Sequence, residues 1–458
     1  MSFKQRLSNI NMAEGAPWKK LLLFTLPLLI GNLFQQLYGT ADAIVLGQFV
    51  GDAALAAVGA SVPVFFLIMV LMMGIAMGAG VMVSQYYGAK QREELSHTIG
   101  TCIVLTTILG AVLMIFGPLL TRPLLSLLNT PSEIIDDAVL YMNILLWGIL
   151  GMAYFNMFSG ALRGLGDAFS PLVYLAVASV LNVGLNLLFI GVFGWGVWGA
   201  AIGTVFAQGL TSVLCYRRLL TMSHVFSMNA KYLRPKKKYV VQMLKLGVPT
   251  GASQAIFAVA MMIIQPLANS FGPMFLAANV IIMRIDGFVM MPNFSFGNAM
   301  TVYAGQNMGA GKVDRIHKGA KQGAAMAVAT AAALVVVILV FGRHIASFFT
   351  DTPEVIDMAV RFLRILGFGY IVFSVNMVMW GIVRGAGDAM TPLWAALINT
   401  IVVRLPSAYL FVWLMRNTST PEDALFYSML LGWTTNMLLA VISYRMGRWK
   451  KKGLVKKE

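Results

Sequence analysis

Charge is what this sequence has least of. Asp, Glu, Lys and Arg make up 11% of its 458 residues, where a soluble domain carries about a quarter. A chain so poor in charge cannot face water over most of its surface, which excludes an ordinary soluble globule. Cysteine is nearly absent: Cys102 and Cys215 both lie inside apolar runs and read as packing residues, not as a disulfide or a thiolate metal site. The four histidines, His97, His224, His317 and His344, fall in loops or at helix ends without metal-ligand spacing. Alternating segments of about ten residues, the mark of a membrane barrel, do not occur. A cleavable signal peptide is not expected, because the first apolar run, beginning near Leu21 after Lys19 and Lys20, is too long for a signal core.

What is abundant is apolar length. Hydrophobic residues make up 59% of the chain and the mean hydropathy is +0.77. Runs of roughly 20 residues recur from end to end, enough for a helix to cross a hydrocarbon core of about 30 Å. Spans are predicted near 21–47, 54–82, 96–118, 138–160, 171–192, 197–219, 241–269, 275–303, 319–341, 358–381, 392–414 and 424–446. The fold class is therefore an all-α integral membrane protein of twelve transmembrane helices. The net charge of +16 does not indicate nucleic acid, because the basic residues sit in short loops and at the C-terminus. Taken alternately, one set of loops holds Lys4, Arg6, Lys19 and Lys20; Lys90 and Arg92; Arg163; Arg217 to Lys238; Lys312 to Lys321; Arg384; and Arg445 to Lys457. The other set is acidic or nearly uncharged, with Asp52, Glu133, Asp136, Asp137, Asp351, Glu354, Asp357, Glu422 and Asp423, interrupted by Arg122, Arg343 and Arg416, with Arg361 and Arg364 at a helix start. Basic loops stay in the cytoplasm, so both termini are expected there.

The chain repeats itself. Gly160-Ala-Leu-Arg163-Gly164-Leu-Gly166-Asp167 matches Gly381-Ile-Val-Arg384-Gly385-Ala-Gly387-Asp388 at an offset of 221 residues, and both continue to Ser170-Pro171-Leu or Thr391-Pro392-Leu. The same offset pairs Leu55-Ala56-Ala57 with Leu276-Ala277-Ala278, Gln85 with Gln306, Arg122 with Arg343 and Glu133 with Glu354, while Pro27 pairs with Pro249 at 222. Each unit holds six spans, an even number, so both copies enter the bilayer from the same side. They form two six-helix lobes related by a parallel pseudo-twofold repeat. Residues 1–216 are expected to form the first lobe, 217–240 a basic cytoplasmic linker, and 241–458 the second lobe with a basic tail.

Polar residues inside the spans are functional candidates. From the helical rise of about 1.5 Å per residue, Asp42, Asn186 and Thr204 should all lie roughly 10 Å below the outer surface. Asn182 is one turn deeper on the face of Asn186, and Gln35, Tyr38 and Asp42, at i, i+3 and i+7, share a face. One carboxylate with several neutral oxygens could hold H⁺, hold Na⁺ at Asp42, Asn182, Asn186 and Thr204, or oppose a cationic drug. Interhelical hydrogen bonding is the plainer role for the three neutral residues. In the second lobe Asp286 and Arg404 both fall near the midplane, so an ion pair between them is feasible, with Arg284 an alternative partner. Enzyme motifs are near misses: Gly305-Gln-Asn-Met-Gly-Ala-Gly311-Lys312-Val313 has one residue too many for a phosphate-binding loop and Val in place of Ser or Thr.

The sequence resembles the multidrug and toxic compound extrusion family over nearly all its length. The residues that carry this are Pro27, Tyr38-Gly-Thr-Ala-Asp42 and Gly47-Gln-Phe-Val-Gly51; Ser84-Gln85-Tyr-Tyr-Gly88-Ala89; the duplicated Arg-Gly-x-Gly-Asp loops; Gly196-Val-x-Gly199-Ala-Ala-Ile-Gly-Thr204; and Arg404-Leu-Pro406. The resemblance implies two six-helix lobes and efflux of organic cations driven by H⁺ or Na⁺. It also makes Asp42, Asn182 and Thr204 members of a first-lobe site and Pro27 the point at which the first helix bends. Asn186 departs from it, since many members carry Asp there, and the seventh span lacks an acid that some members have. The expected function is a secondary antiporter exporting cationic or amphipathic small molecules by alternating access, with no cofactor beyond the coupling ion. It is expected to act as a monomer in the cytoplasmic membrane of a prokaryote. A flippase for lipid-linked saccharides or other amphipathic lipids is the alternative, but its groove should be markedly basic. A membrane-embedded enzyme is a third reading, without a nucleophile–base or metal set to support it.

Overall fold

The computed structural model describes residues 10–128 and 130–455, apart from the side chain of Leu71. The described residues are helical almost throughout and contain no strand. The helices are α1 Pro17–Phe49, α2 Asp52–Gly88, α3 Arg92–Leu127, α4 Ile135–Trp147, α5 Ile149–Gly164, α6 Phe169–Asn186 and α7 Gly196–Leu220. They continue as α8 Lys237–Asn269, α9 Pro273–Gly309, α10 Val313–Ser347, α11 Pro353–Gly385, α12 Met390–Leu397, α13 Leu405–Met415 and α14 Asp423–Met446. Among the described residues eleven helices are long and apolar enough to cross a membrane, and α4 with α5 makes a twelfth. That fourth span is not the single straight helix its apolar run predicts: it bends by 52° at Gly148, where a Cβ would stand 2.3 Å from the Val205 side chain. The first helix, by contrast, runs through Pro27 without a break. Lys4, Arg6, Lys456 and Lys457, part of the charge pattern behind the orientation, lie outside the described residues.

The chain packs as two compact units. One runs from Leu26 to Gly251 together with the segment ending at Asn11; the other comprises Met12–Thr25 and everything from Ala252. In the first, apolar clusters form around Val45, Leu46, Tyr141 and Ile190, and around Ala57, Val64 and Met142. In the second, a larger cluster gathers Phe275, Ile285, Phe362, Tyr370, Phe426 and Trp433.

The duplication is built into backbone geometry. Positive φ recurs at the repeat spacing: Gly51 (105°) and Gly272 (86°), Lys90 (58°) and Gly311 (69°), Gly166 (93°) and Gly387 (102°). These turns end or begin helices at the same point of each half, and glycine is the residue that enters them without a Cβ penalty. Beside two of them, Asp167 accepts hydrogen bonds from the Ser170 amide (2.9 Å) and hydroxyl (2.7 Å), and Asp388 does the same for Thr391 at 3.1 and 2.7 Å. Arg122 pairs with Asp136, and Arg343 with Asp357. Small residues let the helices touch: a Cβ on Gly160 would meet the Ala76 carbonyl at 3.1 Å, and one on Gly381 the equivalent Gly297 carbonyl at 2.5 Å. The near-miss loop at 305–311 is the end of α9 and its Gly311 turn. Cys102 and Cys215 are both free and buried.

The basic segment between α7 and α8 is strapped to the start of α3 within the first unit. Arg92 donates to the Ser223 carbonyl at 2.8 Å, and Lys238 and Tyr239 both reach Glu94, at 3.1 and 2.5 Å. Gly100 lets the strap lie flat, since a Cβ there would come 2.1 Å from the Tyr232 carbonyl.

Candidate functional site

In the first unit five of the predicted residues, the Asp42 carboxylate among them, join one hydrogen-bonded set. Asn186, the last residue of α6, donates through Nδ2 to Asp42 on α1 and, at 3.2 Å, to Asn182 one turn back. Asn182 Nδ2 lies 3.4 Å from the Thr204 hydroxyl on α7, and the Tyr38 hydroxyl donates to the same oxygen at 3.1 Å. Three helices thus meet through side chains that are wholly buried at Asn182 and Asn186 and nearly so at Thr204. A polar group at this depth has no water to return to, so its bonds to other side chains hold the helices in register. Asp42 takes part in no ion pair among the described residues. Its charge is held by neutral groups alone.

The set has a spare acceptor. Asn186 Oδ1 is buried without a partner, and it fits only because residue 203 is glycine: a Cβ there would stand 2.4 Å from it. As arranged, amide N–H groups point at the carboxylate, which a proton can join without rearrangement. A Na⁺ ion binds oxygens, so it would require the Asn186 amide to turn Oδ1 inward, and that orphaned oxygen makes the residues chemically suited to it. Immediately after Asn186 the helix widens into a π-helical turn, Leu187–Val192. Such turns inside α-helices are frequent at functional sites.

Gln35 does not join the set; it is exposed on α1 with no hydrogen bond to any of these residues. Tyr141, which sequence reasoning passed over, belongs with them. It packs with Val45 and Leu46 one turn from Asp42. A tyrosine near the start of an apolar span was the available signal.

The second unit holds its polar residues differently. Asp286 on α9 accepts a hydrogen bond from Tyr370 on α11, not an ion pair from Arg404. Arg404 ends a π-helical turn, Ile398–Arg404, between α12 and α13, and instead meets the Met261 sulfur at 3.4 Å and the Phe257 ring at 5.5 Å from its centre. Arg284 is exposed and forms no ion pair with Asp286. Among the described residues no group of three His, Cys, Asp or Glu side chains is placed to hold a metal.

A duplicated bundle of membrane-length helices, with polar groups set among the helices of each half, defines a multi-pass membrane protein. Comparison with known proteins narrows the class. The MatE family model matches twice, over residues 27–188 and 249–410. The chain is 28% identical to the probable multidrug resistance protein YoeA of Bacillus subtilis, covering 97% of this chain and 96% of that one. It is 30% identical to the probable multidrug resistance protein YpnP of the same organism, over 96% and 97%. The fold superposes on a solved structure of MATE in the straight conformation with a TM-score of 0.88 at 25% identity, covering 97% of this chain and 99% of the other. A structure of MATE in the bent conformation gives 0.89 at 24% identity, over 98% and 99%. The chain belongs to the multidrug and toxic compound extrusion family.

Proposed function

We propose that this protein is a secondary antiporter that exports cationic or amphipathic small molecules in exchange for H⁺ or Na⁺, by alternating access of its two lobes in the cytoplasmic membrane of a prokaryote, with both termini in the cytoplasm. The observation that carries the reading is the carboxylate of Asp42, set among three helices and bonded only to neutral side chains. A charge with no built-in counter-ion can be neutralised in turn by a coupling ion or by a cationic cargo, and two such ligands then exclude one another. That exclusion is what exchange transport needs. The names of the relatives support drugs as the cargo, and the Lys and Arg asymmetry of the loops supports the orientation. Pro27 supplies the hinge of the reading: its ring leaves one backbone carbonyl of α1 without its helical partner, so α1 can bend there when Asp42 is neutralised.

The test uses purified protein in vesicles, with H⁺ and Na⁺ gradients imposed separately and an organic cation as cargo. Asp42→Asn keeps the shape of the side chain and imitates the protonated state. It should fold, as judged by its melting temperature, and lose gradient-driven transport. Normal coupled transport by folded Asp42→Asn protein would overturn the assignment and move attention to Asp286.

A further inference from the structure

The second unit contains a buried cation without a counter-ion among the described residues. Arg404 is 7% exposed and forms no ion pair among the described residues. Its Nε is buried without an acceptor, and Nη2 has only the Met261 thioether at 3.4 Å, a weak acceptor. The Phe257 ring, 5.5 Å from the guanidinium carbon, offers it a π face. These contacts hold the group without supplying the oxygens that a planar fork of five N–H donors is built to take.

Its surroundings leave a way in. The stem of Arg404 is backed by α14 at Gly432, whose Cβ would lie 3.7 Å from that of Arg404. On the other side stand Phe257 and Met261 of α8, both substantially exposed, at 52% and 38%. The guanidinium therefore lies against an aromatic ring and a flexible thioether that are themselves accessible, a surface suited to an apolar body.

The repeat sharpens the point. The two halves repeat at a spacing of 221 to 222 residues, which sets Arg404 opposite Val183 or Asn182 of the first half, and Phe257 opposite Gln36 or Gln35. The first half is uncharged at this point of its span, and the second carries a permanent cation there.

We propose that the second lobe contains an oxyanion subsite, centred on Arg404, that takes the carboxylate of an amphipathic cargo whose apolar body lies on Phe257 and Met261. This deepens the proposed function, and rests on it only in naming the occupant as cargo. The transported class would then include amphipathic carboxylates and zwitterions as well as cations.

The test is equilibrium binding, not transport, so that its failure and a failure of Asp42 coupling are told apart. Wild-type protein in lipid-free detergent is titrated with 1-pyrenebutyrate and with its uncharged methyl ester, followed by fluorescence. The carboxylate should bind at least tenfold more tightly than the ester. Arg404→Gln should bring that ratio to within twofold, and Arg404→Lys, which keeps the charge but loses the fork, should retain part of it. Equal affinity of wild type for acid and ester would overturn the proposal even if neither variant folds, as would an unchanged ratio in a folded Arg404→Gln protein. Short-chain phosphatidylglycerol and phosphatidylcholine are then added as competitors. Displacement of pyrenebutyrate by the glycerol lipid alone would make this a headgroup site and overturn its assignment to cargo; no displacement by either supports it.

Discussion

Gly203→Ala is a change of one methyl group that should disable the first-lobe site from the side. The new Cβ would stand 2.4 Å from Asn186 Oδ1 and 3.5 Å from the Leu185 Cβ. A contact of 2.4 Å is far inside van der Waals distance, so the Asn186 amide must turn away. That movement breaks its bonds to Asp42 and to Asn182 together. A hydrogen bond to a charged group contributes about 1.5–3 kcal/mol, which is roughly a 10- to 150-fold change in an equilibrium constant. The affinity for a cationic cargo, or for the coupling ion, should therefore shift by about that factor. Gly209→Ala on the same helix is the control, since a Cβ there meets no heavy atom within 4 Å, and its binding curve should match wild type. The mechanism is checked by a double-mutant cycle: in an Asn186→Ala background the amide is already gone, so adding Gly203→Ala should cost little more. Binding of an organic cation to the purified proteins, with melting temperatures alongside, reads all four. Wild-type affinity in folded Gly203→Ala protein, or strict additivity with Asn186→Ala, would refute the packing argument.

Two further outcomes follow from the second unit and from the loops. Tyr370→Phe should destabilise the protein by about 1–3 kcal/mol, because it strands the buried Asp286 carboxylate that Tyr370 serves; in denaturation experiments Asp286→Asn and Tyr370→Phe should be strongly non-additive, whereas Asp286→Asn and Arg404→Gln should simply add. A cysteine placed at Arg234, in the basic strap, should react with an impermeant thiol reagent only after the cells are opened, and labelling of intact cells would reverse the proposed orientation.

The fold was legible because its two signals are large. A run of about 20 apolar residues admits few structures, and the Arg-Gly-x-Gly-Asp loops recur because each copy needs the same left-handed glycine and the same Asp cap. What escaped the sequence was one coordinate of each buried residue. Gln35 shares a helical face with Asp42, but seven residues of rise put it about 10 Å away along the axis, beyond the polar set: the periodicity fixed its direction, not its depth. Asp286 and Arg404 are the converse. Their depths match, yet each turns to a different helix, Asp286 to Tyr370 and Arg404 to Met261 and Phe257. Arg284 is two residues from Asp286, nearly half a turn around the helix, and so cannot face the same neighbours. Tyr38, Asp42, Asn182, Asn186 and Thr204 were legible as a group because depth and face agreed for all of them at once. The bend at Gly148 left no mark in the hydropathy, which a bent apolar helix shares with a straight one.

The two halves separate what scaffolds the protein from what works in it. Features present in both copies are structural by their form: the Asp167 and Asp388 caps, the Arg122–Asp136 and Arg343–Asp357 pairs, and the glycines at which helices touch. The polar residues of the Asp42 set are not shared. At a spacing of 221 to 222 residues Asp42 corresponds to Ile263 or Ile264, Asn186 to Ser407 or Ala408, and Thr204 to Leu425 or Phe426; Ile264, Ala408, Leu425 and Phe426 belong to or pack against the apolar core of the second unit. Tyr141 becomes Phe362 at 221, in the same core. Had the first-lobe set served only to tie helices together, the second lobe shows that carbon does so at the same positions. A buried carboxylate and its amides are costly to keep where an apolar core suffices, and their presence in one half alone supports the proposal that ion exchange uses that half. The second lobe carries its own buried charges at Asp286 and Arg404, each at a position where the first has a neutral residue.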